Sequence, residues 1–329
     1  MKVVVTDYVE PDLDWEENEL RECHIDFRAH QLKFGFFEEL ASATEDADIV
    51  VVNMAPITSS LVAHWKKCRL VIRHGIGYDN VDVDALTEKN IPLVNIPDYC
   101  VEEVAEHAIA LLFALARKIV LSRSVVEQSS RKGEWDFAGV QPIFRLKDKV
   151  LGIIGCGRIG SRIYQRLGSF GFEFLVCDPY LSQPRQRELG IETVSRDQVL
   201  AESDFITLHT PLNSDTRQMI NAKSLARMKE SACLINTARA GLIDHPALYC
   251  ALREGRIAGA ALDVFEREPP APDEPPFDLD NVVLTPHLSW YSVEASWDVR
   301  YKIVEEIRRF QKGLPPRNCI NLEVARGGV

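Results

Sequence analysis

The chain has 329 residues, of which 46% are hydrophobic and 26% charged, as expected of a globular protein long enough to form two domains. Its net charge of −11 and the lack of a lysine- or arginine-rich cluster argue against a nucleic-acid partner. The absence of a secretory signal, of a membrane-spanning stretch and of Cys-x-x-Cys pairs among the eight cysteines predicts a cytoplasmic protein without membrane contact or a metal site.

The first hundred residues alternate apolar strands with helical patterns, which is typical of a parallel sheet covered by helices. The predicted strands are Lys2–Thr6, Asp48–Asn53, Leu70–Arg73 and Pro92–Asn95. Helical patterns lie between them, for instance near Phe36–Ala43 and Val83–Lys89. Arg73 opens the segment RHGIGYDNVD, in which Gly75 and Gly77 can present main-chain N–H groups to an anion or form a plain turn.

A long amphipathic helix is predicted next, over Val101–Lys118, with small residues that allow close packing. His107 lies on this buried helix, and we expect a packed histidine with one hydrogen bond. The following segment, Ser122–Lys147, carries Trp135 and Phe137 and is predicted to be irregular.

Residues 149–180 contain the most informative pattern of the chain, KVLGIIGCGRIGSRIYQRLGSFGFEFLVCDPY. An apolar strand leads into Gly155, Gly157 and Gly160, and a helical pattern follows. In this context the first glycine permits a tight turn, the second lets the backbone approach a pyrophosphate, and the third lets helix and strand pack closely. The pattern therefore predicts a dinucleotide-binding loop.

The residues around this loop indicate which dinucleotide binds. Arg158 and Ile159 open the helix, where free N–H groups and the helix dipole attract a phosphate. Asp178 ends the next strand and is placed to accept hydrogen bonds from both adenosine ribose hydroxyls. Because a carboxylate there repels a 2′-phosphate, the sequence predicts NAD rather than NADP as the cofactor.

The remaining sequence continues the alternation of strands and helices. Its predicted strands are Val150–Ile154, Phe174–Cys177, Phe205–His209, Ala232–Asn236, Gly259–Asp263 and Val282–Leu284. Its predicted helices are Ile159–Phe170, Ser224–Met228, Pro246–Glu254 and, near the end, Val293–Lys312. A short apolar piece of the tail, Cys319–Leu322, is expected to return to the first domain.

Polar residues follow the ends of these strands, where open α/β sheets bind their ligands. The expected cofactor contacts at these ends are His209, Thr210, Thr237, Ala238 and Asp263. Together with strand ends of the first half, we expect them to converge on one crevice between two sheets.

His287 ends its segment after Thr285 and Pro286 and is the natural general acid/base, because a histidine titrates near neutrality. Glu268 is its candidate partner, since a carboxylate fixes the imidazole tautomer and favours imidazolium; the alternative is a solvated loop acid. Arg239 offers a planar fork suited to a carboxylate, unless it forms a surface salt bridge.

The predicted crossings between the halves lie near Pro97–Val101 and His287–Val293. We therefore predict a cofactor domain over residues 99–288, inserted into a discontinuous substrate domain formed by residues 1–98 and 289–329.

Several motifs together resemble the D-isomer-specific 2-hydroxyacid dehydrogenase family. They are GCGRIG with Asp178, LHTPLN, INTARAGLID, GAALDVFEREPP and TPHLSW, in the family's order and spacing over nearly the whole chain. The segments PHLSWYSVEAS and RHGIGYDNVD are most similar to the C-terminal binding protein branch. The resemblance implies a Rossmann-type doubly wound NAD domain inserted into a smaller flavodoxin-like α/β substrate domain, and a homodimer built through the cofactor domains.

The resemblance also implies residue roles. It makes Arg239, Glu268 and His287 the catalytic trio, and Asp263 the residue that holds the nicotinamide carboxamide. Substrate contacts are implied for the backbone of Ile76 and Gly77, which binds the carboxylate, and for the side chains of Arg73 and Trp290.

The implied activity is NAD-dependent hydride transfer between NAD(H) and a small 2-oxo or D-2-hydroxy acid. One alternative is an NAD(H)-sensing dimeric scaffold or corepressor without turnover. Another is oxidation of a phosphorylated acid such as 3-phosphoglycerate, which needs cations beyond Arg73 and Arg239. The sequence stops about forty residues after His287, without the regulatory domain or long tail of some relatives, so feedback or tail-based regulation is not expected.

Overall fold

The computed structural model describes residues 1–272 and 276–321. The chain divides into two compact units, one formed by Met1–Tyr99 with Ser292–Val329 and the other by Cys100–Tyr291. Within the described residues, no helix has the length and apolar character needed to cross a bilayer.

The first unit contains a five-stranded parallel sheet in the order β2-β1-β3-β4-β5. The elements up to residue 94 are β1 (Lys2–Val5), α1 (Asp14–Arg21), β2 (Asp26–Ala29), α2 (Phe37–Thr44), β3 (Ile49–Val52), α3 (Ser59–His64), β4 (Leu70–Arg73), α4 (Val83–Glu88) and β5 (Leu93–Val94). The four predicted strands are confirmed. The edge strand β2 was missed, because its sequence DFRA is mostly exposed and has no apolar run.

The second unit contains a six-stranded parallel sheet in the order β11-β10-β9-β8-β6-β7. Its strands are β6 (Val150–Ile154), β7 (Glu173–Cys177), β8 (Phe205–Leu208), β9 (Cys233–Asn236), β10 (Gly259–Leu262) and β11 (Val282–Leu284). The strand order reverses between β6 and β8, which is the position where doubly wound sheets bind their ligands. A single bridge from Thr193 to Val176 extends the sheet beyond β7.

Seven helices of the described chain accompany this second sheet. They are α5 (Val101–Ala116), α6 (Ile119–Lys132), α7 (Arg158–Leu167), α8 (Gln183–Leu189), α9 (Arg196–Glu202), α10 (Ala222–Leu225) and α11 (His245–Arg253). The core on one face includes residues of α5 and α7, among them Leu112 and Ile163, against Leu151 and Ile153 of β6.

The prediction that Ser122–Lys147 is irregular was wrong for its first part, because α6 continues to Lys132 and ends at Gly133 in the left-handed conformation. Ile119, Val120 and Val126 of this helix are exposed, so its apolar residues do not form the inward-facing stripe by which an amphipathic helix is identified. The helix ends where glycine accepts a positive φ without steric cost.

The last helix, α12 (Val293–Gln311), belongs to the first unit and starts at Ser292, whose side chain accepts a hydrogen bond from the Ala295 amide. Its apolar side chains, including Val299 and Ile303, join the core that contains alternate residues of β1, β3 and β4. The tail then returns to β5 as predicted: Cys319 bridges Val94, and the Ile320 amide donates to the Leu93 carbonyl. Leu322, the end of the predicted piece, lies outside the described residues.

Candidate active site

The glycine loop connects β6 to α7 and has little room for side chains at two of its three glycines. Gly155 has a φ of +91°, and a Cβ there would lie 2.5 Å from the carbonyl oxygen of His209. A Cβ on Gly160 would collide with the carbonyl oxygen of Gly155. Nothing among the described residues lies within 4 Å of a Cβ on Gly157, so the backbone there is open to a ligand.

The start of α7 and the end of β7 complete this loop. Gly157 is the N-cap of α7, so Arg158 and Ile159 lie in the first turn, where amide groups have no intrahelical acceptor. The half-buried carboxylate of Asp178 accepts hydrogen bonds from the Cys156 amide at 2.8 Å and from the Tyr180 amide at 2.9 Å. Asp178 is thereby fixed beside the loop, where a ribose would lie if a pyrophosphate occupied the helix N-terminus.

The ends of β8 and β9 supply the next candidate contacts. Burial lowers the pKa of His209 to about 3, so its ring is neutral; it contacts the Thr207 hydroxyl at 2.7 Å. Thr210 follows it, and the backbone of both residues packs against Gly155. Buried Thr237 Oγ1 has no hydrogen-bond partner within residues 1–272 and 276–321, whereas the Ala238 amide donates to Asn236. The open glycine and the unpartnered hydroxyl both fit a dinucleotide at this edge.

His287 and Glu268 form the pair that the sequence suggested. His287 Nδ1 lies 2.9 Å from both carboxylate oxygens, and the side chains are 34% and 19% exposed. Glu268 also accepts a hydrogen bond from the Phe265 amide at 3.2 Å, which fixes the carboxylate to its own loop. Glu268 is therefore a partner of the histidine rather than a solvated loop acid, and it sets the ring so that Nδ1 carries the proton.

Arg239 follows β9, at the same edge of the sheet. Its Nη1 donates to the Ala238 carbonyl at 2.8 Å, and the Asn236 side chain binds the Arg239 carbonyl at 2.9 Å. Because β9, β10 and β11 are adjacent and parallel, Arg239, Asp263 and Thr285 all emerge from the carboxyl ends of neighbouring strands.

Asp263 is fully buried and holds the turn that carries His287. Its carboxylate accepts hydrogen bonds from the Thr285 hydroxyl at 2.6 Å and from the amides of Leu288 and Ser289, both at 3.0 Å. The sequence did not reveal these contacts, since nothing local links residue 263 to residues 285–289. The carboxamide contact implied for Asp263 stays a prediction.

The substrate residues implied in the first unit surround the end of β4. Arg73 donates to the carbonyl of His74, and the Asn95 side chain donates to the carbonyl of Ile76 at 2.7 Å. Within the described chain, the amides of Ile76 and Gly77 donate no hydrogen bond, which suits an anion-binding turn. In the second unit, Trp290 is half-buried and makes an edge contact with Tyr291, with ring centroids 5.4 Å apart.

A buried contact between Glu10 and His74 lies near this turn and was not predicted from the sequence. Glu10, in the loop after β1, lies 3.3 Å from His74 Nε2, and the two side chains are 2% and 8% exposed. Burial would raise the pKa of Glu10, but His74 and the amides of Glu10 and Val9 outweigh it and hold the pKa at about 2. No cluster of three metal-ligating side chains occurs in the part of the chain that the structure describes.

The chain is similar to known proteins over most of its length. The profile of the D-isomer specific 2-hydroxyacid dehydrogenase NAD-binding domain matches residues 109–289. D-3-phosphoglycerate dehydrogenase of Archaeoglobus fulgidus is 39% identical over 83% of this chain and 51% of its own length. Glyoxylate reductase of Korarchaeum cryptofilum is 39% identical over 86% of this chain and 85% of its own length.

Solved structures share the fold. An acyclic imino acid reductase in complex with NADPH and D-Arg has a TM-score of 0.86 and 33% identity, with 97% of this chain and 100% of that chain covered. The present chain spans about half the length of the D-3-phosphoglycerate dehydrogenases that it matches, 51% and 54% of two of them.

Proposed function

The chain belongs to the D-isomer-specific 2-hydroxyacid dehydrogenase family, and we propose that it transfers hydride between NAD(H) and a small 2-oxo or D-2-hydroxy acid. Residues 109–289 correspond to the family's NAD-binding domain. The observation that carries the proposal is the His287–Glu268 pair, which lies in the same compact unit as the glycine loop.

The residues of the second unit fit the cofactor. The open backbone at Gly157 and the first turn of α7 would hold the pyrophosphate, and Thr237 would gain a partner for its unpartnered hydroxyl. Asp178 would bind the adenosine ribose and repel a 2′-phosphate, which favours NAD over NADP. When bound, the reduced nicotinamide supplies the hydride.

The chain's own residues would transfer the proton and bind the substrate. With Nδ1 bound by Glu268, Nε2 of protonated His287 donates a proton to the carbonyl oxygen of a 2-oxo acid during reduction. In the reverse direction neutral His287 takes the hydroxyl proton. Arg239 would bind the substrate carboxylate, and the amides of Ile76 and Gly77 are proposed to assist, which places the reacting carbon by proximity.

A compact, unphosphorylated acid is the first candidate, because a phosphorylated one needs cations beyond Arg73 and Arg239. The buried side chain next to the Arg73–Gly77 turn is an acid, Glu10, which supplies no such cation. A phosphorylated acid is the second candidate substrate, because two of the relatives are named D-3-phosphoglycerate dehydrogenase.

The experiment is steady-state oxidation of NADH, and separately NADPH, with glyoxylate, pyruvate, hydroxypyruvate and 3-phosphohydroxypyruvate. We expect turnover with NADH and an unphosphorylated acid, loss of turnover in His287→Gln, and unchanged NADH affinity in that variant. The matched control is His64→Gln, because His64 is an exposed histidine of the first unit. Tight NADH binding without turnover on any acid would instead support the scaffold function, and a preference for the phosphorylated acid would support the second candidate.

We also propose a homodimer formed through the second unit, since a group of its large apolar side chains is exposed. These side chains are Ile119, Val120, Val126, Trp135, Phe137 and Phe144. Large apolar side chains that stay exposed on a globular chain are typical of an interaction surface. Light scattering should show a dimer for the native protein and a monomer for Trp135→Ser with Phe137→Ser, whereas Phe34→Ser in the first unit should leave the dimer intact. A monomeric native protein would refute the proposal.

We propose a cytoplasmic location as well, because turnover needs the cell's NAD(H) pool.

A further inference from the structure

The turn that carries His287 is in a conformation that needs external support. His287 has a φ of +54°, in the left-handed region that non-glycine residues rarely adopt. The two amides that follow it, those of Leu288 and Ser289, both donate to the buried Asp263 carboxylate. The direction of the imidazole therefore depends on how firmly Asp263 is held.

Asp263 is held in turn by Thr285, and Thr285 contacts His107 of α5. Thr285 Oγ1 lies 2.6 Å from Asp263 Oδ1, and His107 Nε2 lies 3.0 Å from Thr285 Oγ1. An ionised carboxylate only accepts, so the Thr285 hydroxyl donates to Asp263 and accepts from His107. The donor and the acceptor of both hydrogen bonds, His107 to Thr285 and Thr285 to Asp263, are thus determined. His107 must therefore carry its proton on Nε2.

The protonation of His107 agrees with this direction. Its side chain is 18% exposed and lies 3.7 Å from Asp263 Oδ1. Burial lowers the pKa of His107 despite the opposing charge of Asp263, so the ring is neutral and donates through one nitrogen. A neutral donor satisfies Thr285 without neutralising the Asp263 charge that binds the two turn amides.

We propose that His107 is a positioning residue for His287, acting through Thr285 and Asp263. The inference rests on the proposed function in that His287 is taken as the acid/base, but the contacts themselves are independent of it. His107 lies in the middle of a 16-residue helix packed against the sheet, which gives the network a rigid anchor. Its removal leaves the Thr285 hydroxyl without the donor that His107 provides, so Thr285 holds the Asp263 carboxylate under the turn less firmly.

The test compares variants along this network. His107→Phe removes the donor and keeps a flat ring, slightly larger than imidazole, at the same position, and Thr285→Val removes the hydroxyl without changing shape. We expect each to lower kcat about five- to tenfold with a nearly unchanged KM and NADH affinity, and the double variant to lose little more than either single variant. Thr285→Ser should retain native kcat. The control on the same helix is Glu106→Gln, an exposed residue paired with Arg166 rather than with the network.

A second measurement does not require activity. Hydrogen exchange at the amides of Leu288 and Ser289 should be faster in His107→Phe and Thr285→Val than in the native protein and Glu106→Gln. Unchanged exchange in both network variants would overturn the inference, even if kcat fell, because the effect would then not pass through the turn. Absence of turnover in the native protein with faster exchange in the variants would instead count against the proposed function alone.

Discussion

Replacement of Glu268 by glutamine isolates the contribution of its charge to the acid/base pair. Glutamine keeps the shape and an acceptor oxygen for His287 Nδ1 and the Phe265 amide, which lie 2.9 and 3.2 Å from Glu268 Oε1. A hydrogen bond to a charged partner contributes about 1.5–3 kcal/mol and a neutral one about 0.5–1.5 kcal/mol. The loss of the charge therefore costs the difference between these two contributions. Because both side chains are partly exposed, we take a low value for this difference, about 1–1.5 kcal/mol. It corresponds to about a tenfold loss of kcat for reduction.

The assay is steady-state reduction of the best 2-oxo acid by NADH, with cofactor affinity measured separately by fluorescence. Glu266→Gln is the matched control, since Glu266 is an exposed acid two positions away in the same loop. We expect Glu268→Gln to lower kcat while NADH affinity stays native, and Glu266→Gln to change neither. A native kcat in Glu268→Gln, or an equal fall in both variants, would refute the assignment of Glu268 as the partner that stabilises imidazolium.

Three further predictions concern the cofactor loop and stability. Gly160→Ala should abolish NADH binding, because its Cβ collides with the Gly155 carbonyl, whereas Gly168→Ala, with no neighbour within 4 Å in the described chain, should bind normally in the same titration. Burial holds the pKa of His209 at about 3, below the ordinary 6.5, so the unfolded chain binds more protons and stability falls as pH drops below about 6.5. Urea unfolding of the apoprotein between about pH 7 and pH 5 should therefore show a shallower loss for His209→Asn than for the native chain. Arg300→Met should cost about 3–5 kcal/mol of unfolding free energy in urea, because it leaves buried Glu16 without its bidentate partner; a cost below about 1 kcal/mol would contradict this.

Local sequence patterns contained enough information for most of the architecture. Continuous apolar runs such as Ile49–Val52 are expected for strands buried on both faces of a parallel sheet, and the glycine spacing at 155–160 reflects close backbone approaches. Two of the elements that were missed lack such patterns. The edge strand Asp26–Ala29 is mostly exposed, and helix Ile119–Lys132 turns apolar residues outward. The short helix Arg196–Glu202 was also missed, although Ser195 gives it a recognisable N-cap.

The candidate site likewise contains residues that the sequence predicts and contacts that it does not. Residue types and strand ends in the sequence were sufficient to nominate Arg239, Glu268 and His287, and the structure pairs the last two at 2.9 Å. The contact of His107 with Thr285 joins residues 178 positions apart, and the pairing of Glu10 with His74 joins two different strand ends. The spacing of apolar residues in the sequence indicates only which face of a helix or strand is apolar. The partner of a buried polar side chain is determined when elements distant in the sequence pack together.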